Sequence, residues 1–142
     1  MLRGQFESAG ETTPQRLREA YDELLAATVR QVGAPTVATE SGVDEETLVA
    51  LVDGESPDLS LEEAASILAA DPDRPDAETL LAEARDVLLM GMSTAVLDVE
   101  AVASGIDDAL EPKEIQQKAE GRHPMLLDEY ALLHSFIESR KP

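Results

Sequence analysis

The chain repeats itself, and the repetition limits what it can fold into. Leu17-x-Glu19-Ala20-x-Asp22-x-Leu24-Leu25 returns as Leu81-x-Glu83-Ala84-x-Asp86-x-Leu88-Leu89. Val37-Ala38 returns as Val102-Ala103, and Leu48 as Ile115. Gly54-x-x-Pro57 returns as Gly121-x-x-Pro124, and Leu61-x-Glu63 as Leu127-x-Glu129. The order never breaks, and the spacing changes only where a loop is expected. Helices rich in Leu, Ala and Glu match one another by composition alone. The shared Gly-x-x-Pro and the kept order go beyond that, so we read an internal duplication of a four-helix unit.

Helix punctuation supports the unit. Thr13-Pro14 is a cap residue followed by proline at the first helical position, opening a helix to about Val32 with Gly33 as its stop. A short helix follows near Thr36–Glu40, and Asp44 caps another that ends at Gly54. Ser60-x-x-Glu63 is a capping box for a helix over Leu61–Ala70. "DPDRPD" (71–76) is a loop, after which the pattern restarts. No segment alternates apolar and polar residues for long, so no strand is expected. The expected fold is all-α: about eight helices, as two tandem four-helix helix-turn-helix-like repeats packed into one compact domain. Its parts are an N-terminal extension (1–13), repeat 1 (14–70), the loop (71–76) and repeat 2 (77–142).

Charge constrains the setting. There are 30 Asp plus Glu against 11 Lys plus Arg, a formal net charge of −19. Such a field repels nucleic acid and strains the compact state, and both penalties shrink in molar salt, where the Debye length falls to about 3 Å. The acidity therefore reads as halophilic. Disorder, the other reading of high net charge, is opposed by 43% apolar residues and by the periodicity. No cysteine is present, so disulfides, thiolate metal sites and a cysteine nucleophile are excluded. No signal-peptide pattern and no apolar run of about 20 residues is found, so a cytoplasmic protein without a membrane partner is expected.

Each unit resembles the helix-turn-helix core of the Cro/λ-repressor type of DNA-binding domain. "TVATESGVDEETLVALVDGESPDLSLEEAASILA" (36–69) carries the likeness in the first unit, and "VEAVASGIDDALEPKEIQQKAEGRHPMLLDEYALLHSFI" (99–137) in the second. The full chain is also similar to members of an uncharacterised haloarchaeal protein family. The first resemblance implies that the second short helix of a unit enters the major groove of duplex DNA. With Leu48 and Ile115 turned inward, the outward stripe is Glu46, Val49, Ala50 and Asp53 in unit 1, and Lys113, Gln116, Gln117 and Glu120 in unit 2. The first stripe has no phosphate donor. The second has a lysine, and glutamines able to bridge adenine N6 and N7, with Lys118, Arg122 and His123 flanking it. The turn before it, "GIDDALEP", is two residues longer than its counterpart, with Pro112 as the new helix start.

The second stripe lies in a near-neutral tail. Residues 1–110 hold 6 basic and 24 acidic side chains, and residues 111–142 hold 5 and 6. Two readings follow. Lys113, Gln116, Gln117, Lys118, Arg122 and His123 form a nucleic-acid-binding surface, or the cations simply solvate a helix and pair with Glu114, Glu120 and nearby acids. Val49 and Ala50 offer a protein-interaction face, or Val49 sits at the core edge beside Val52. The expected function is accordingly a DNA-binding regulator, with a protein-interaction or adaptor module as the alternative. Duplex DNA or a protein is the partner, and a homodimer is compatible with either.

Enzyme chemistry is not expected. His123 and His134 lack metal-ligand spacing, "GESPD" (54–58) lacks the nucleophile-elbow pattern, and no Lys-Ser/Thr follows Gly91 to make a phosphate loop. No catalytic residue, metal or cofactor is assigned. Gly91 is read as a close packing point or a kink. The run Val87–Leu97 is apolar on more than one face, which predicts a central helix buried on all sides.

Overall fold

A computed structural model describes residues 9–142. After a short 3-10 turn (Ala9–Glu11) come α1 (Pro14–Val32), α2 (Ala34–Ser41), α3 (Glu45–Val52), α4 (Leu61–Ala69), α5 (Ala77–Thr94), α6 (Val99–Gly105), α7 (Pro112–Ala119) and α8 (Leu127–Ser139). The fold is all-α among the described residues. Residues 1–8 of the N-terminal extension lie outside them.

Local chemistry sets most of these bounds. The Thr13 hydroxyl accepts the Arg16 N–H at 3.2 Å, and Gly33 stops α1 at φ +101°. The capping box closes both ways at 3.0 Å, between Ser60 and Glu63. Asp76 caps α5 through the Thr79 N–H at 2.8 Å. Asp44 stands at its expected cap position without a side-chain hydrogen bond; its carbonyl instead accepts from Thr47 and Leu48.

One apolar cluster runs through both halves, from Leu17, Leu25, Val37, Leu48 and Leu68 to Leu88, Val102, Ile115, Leu133 and Ile137. The helices pack between the halves: α1 lies on α8, and α5 on α4. Where α4 and α8 begin, Ser60 and Leu126 form an antiparallel bridge. The Leu61 N–H donates to the Met125 carbonyl at 2.7 Å, and the Leu127 N–H to the Leu59 carbonyl at 2.8 Å. This joint ties the first half to the second at positions the sequence repeat had matched, Leu61 and Leu127.

Two expectations are corrected. The repeat matched Leu17 with Leu81 and Leu25 with Leu89. Burial instead follows Leu17, Tyr21, Leu25 and Val29 on α1, and Leu80, Ala84, Leu88 and Met92 on α5. Leu80-Leu81 and Leu88-Leu89 are doublets, so Leu17 and Leu25 meet a leucine in either register, while Glu19, Ala20 and Asp22 match only in the first. Packing turns the first leucine of each pair inward. The run Val87–Leu97 is also not buried all round. Its inward stripe is Leu88, Gly91 and Met92, while Leu89 and Met90 are exposed. The helix ends at Thr94, where the Leu97 N–H reaches back to the Met92 carbonyl at 2.8 Å with Val96 left-handed at φ +55°. Gly91 is a packing point: a Cβ there would stand 2.7 Å from Ile137 Cγ2.

Candidate functional site

Helix α7 is positioned by two buried residues, Ile115 and Ala119, one turn apart on its inner face. Pro112 takes the first helical position, and Glu111 precedes it with its N–H donating to the Glu114 carboxylate at 3.3 Å. That geometry leaves Lys113 and Gln116 exposed and Gln117 half-buried on the outer side. The preceding connection runs over residues 106–111, with Asp107 and Asp108 both left-handed at φ +56° and +57°. The corresponding connection before α3 spans only residues 42–44.

Lys118 is spent inside the protein. Its ammonium lies 2.5 Å from Glu129 Oε2 and 4.0 Å from Glu114 Oε2, with the side chain 16% exposed. The other oxygen of Glu129 accepts the Leu126 N–H at 2.8 Å. Lys118 therefore fastens α7 to the start of α8. Arg122 is open to solvent but pairs with Glu120 at 3.3 Å. His123 is exposed, its N–H directed to the Gln117 carbonyl at 3.4 Å. Arg140 covers the Phe136 ring at 5.1 Å, and Lys141 pairs with Glu138 at 2.9 Å.

The structure adds a cation that the sequence did not assign. Arg85 of α5 lies across Gly121, where a Cβ would stand 2.7 Å from its guanidinium carbon. It faces Glu62 at 3.7 Å as well. No spacing rule links residues 85 and 121; only the packing of α5 on α7 brings them together.

Helix α3 presents the opposite chemistry. Leu48 and Leu51 point inward, Glu45, Glu46 and Asp53 are exposed, and Ala50 is half-buried. Val49 is 45% exposed, whereas its neighbour Val52 packs against the core. Val49 thus stands outside the core edge, ringed by carboxylates. The first-turn acids Glu45 and Glu46 suit the positive end of the helix.

Two buried polar clusters lie elsewhere. Arg18, 6% exposed, donates from Nε to Asp22 at 2.9 Å, from Nη1 to Asp128 at 2.6 Å and from Nη2 to the Pro57 carbonyl. The Ser56 hydroxyl donates to the other Asp22 oxygen at 2.6 Å. In the core, the Tyr21 hydroxyl meets His134 Nδ1 at 2.6 Å, and the Tyr130 hydroxyl donates to the Ala84 carbonyl at 2.9 Å. Burial drives the His134 pKa down to about 4, against the opposing pull of Glu138, and raises that of Tyr21. Arg18, Ser56 and Asp128 line an open pocket of about 520 Å³, and no group of three His, Cys, Asp or Glu is set to hold a metal among the described residues.

A family model described as a family of unknown function (DUF5791) matches residues 17–140. Neither the curated proteins nor the solved structures contain a match to the chain.

Proposed function

We propose that this chain, which belongs to that family of unknown function (DUF5791), is a non-enzymatic protein-interaction module built on two helix-turn-helix-like units. Val49 and Ala50 are its contact residues. The observation that carries this reading is the use of Lys118: this cation, flanking the outward stripe of α7, is bound by Glu129 and Glu114. A helix that reads DNA needs such cations free to displace counterions from phosphates. The outward face of α3, with Val49 among Glu45, Glu46 and Asp53, carries no cation to meet a phosphate. The acidity supports a salt-rich cytoplasm as its setting, where that face is screened.

A second reading keeps the fold's commonest use. Lys113 and Gln116 stand outward on α7, and Arg85 adds a guanidinium over Gly121. Together with Gln117, Lys118, Arg122 and His123 these would contact duplex DNA. Binding of mixed-sequence duplex DNA across a KCl series separates the two readings. The interaction module predicts no binding that depends on Lys113 and Arg122. Binding that weakens with salt and is lost in the Lys113→Glu/Arg122→Glu variant would replace it with the regulator reading.

A further inference from the structure

A groove of about 680 Å³ runs along the outward face of α1. That volume lies in the range of ligand-binding clefts, roughly 300–1,000 Å³. One side is a single helical stripe, Arg16, Glu19, Glu23 and Arg30. The other side comes from Leu51 at the end of α3 and Glu55 in the following loop. The groove is separate from Val49 and Ala50, because Leu51 is buried on the opposite side of α3.

Its walls are preformed. The loop is fastened from beneath, by Ser56 to Asp22 and by the Pro57 carbonyl to the buried Arg18. A fixed wall lowers the ordering cost of binding. Arg30 is steadied by a hydrogen bond from Nη2 to the Val52 carbonyl at 3.4 Å. Arg16, Glu19, Glu23, Arg30 and Glu55 form no ion pair among the described residues. Along the helix they run positive, negative, negative, positive, with Glu55 adding a further negative charge from the loop. From Arg16 to Arg30 is about 21 Å at 1.5 Å per residue. An extended peptide covers that length with about six residues.

We propose that this groove docks an extended segment of a partner protein, with Lys or Arg at its centre and acidic residues at its ends. The central cations meet Glu19, Glu23 and Glu55, and the terminal acids meet Arg16 and Arg30. A polycation of uniform charge is not the fitting ligand, because the two arginines repel its ends. This surface does not depend on the reading of α3 above.

The test uses the full chain and two synthetic peptides, in KCl at which circular dichroism shows it helical. One peptide has lysines at the centre and glutamates at both ends, and the other has the charges reversed. Fluorescence anisotropy should give about tenfold tighter binding of the first peptide. Glu19→Gln/Glu23→Gln/Glu55→Gln should remove most of that binding. Glu40→Gln/Glu78→Gln/Glu100→Gln, which neutralises the same charge at exposed sites elsewhere, should leave it within about twofold. Equal binding of both peptides, equal loss in both triple variants, or no binding of the first peptide would overturn the proposal.

Discussion

The Tyr21 hydroxyl and His134 Nδ1 form a 2.6 Å hydrogen bond between α1 and α8, inside the core that joins the two halves. Glu138 Oε1 lies 3.9 Å from the other ring nitrogen, Nε2. The folded pKa of about 4 lies below the ordinary 6.5. The unfolded chain therefore binds the proton first as pH falls. The contribution of the neutral ring is full above pH 6.5 and is lost progressively down to pH 4. The loss is about 3 kcal/mol at most. Denaturant unfolding as a function of pH should show that slope in the native chain and not in Tyr21→Phe/His134→Leu. Carboxylates common to both cancel in the difference.

Arg18 is expected to be the costliest polar residue to remove. Arg18→Met strips the buried Asp22 of its counter-charge and frees both Asp128 and the Pro57 carbonyl. Breaking such a buried pair costs about 3–5 kcal/mol. Arg18→Met/Asp22→Leu should be milder than the sum of the single changes in denaturant unfolding, because no lone buried charge remains.

Val96→Gly is expected to stabilise. Val96 is a β-branched residue held left-handed at φ +55° in the stop signal of α5, and it is 89% exposed. Glycine removes the backbone strain, about 1 kcal/mol, with little packing to lose. A rise of about 3 °C in Tm should result.

Gly91→Ala is expected to destabilise by about 1–3 kcal/mol, because the new methyl would meet Ile137 Cγ2 at 2.7 Å. Ile137→Ala removes Cγ2, so Gly91→Ala should cost less in its background. A thermal-melt double-mutant cycle reads the coupling, and purely additive effects would refute the contact.

Much of the fold can be read in the sequence because its boundaries are local chemistry. Thr13-Pro14, the Ser60 and Glu63 box and the left-handed Gly42, Gly54 and Gly121 mark helix ends without reference to any partner. The register of α5 is hidden, since a leucine doublet satisfies the leucine positions either way and only α4 and α8 decide which member faces in. The candidate site divides in the same manner. The outward position of Lys113 and Gln116 follows from Ile115 alone. The capture of Lys118 by Glu129 needs α8 folded against α7, and the arrival of Arg85 beside Gly121 needs α5. Arg18 reads as a surface charge on an amphipathic helix until the loop at Ser56 and Pro57 closes over it.

The interaction reading is tested most directly by photo-crosslinking in intact cells. A photoreactive residue replaces Val49, with the same residue at exposed Glu100 as the control. The expected result is one recurrent protein adduct from position 49, absent from position 100 and lost on Ala50→Glu. Equal labelling from both positions, or no protein adduct from position 49, would contradict it.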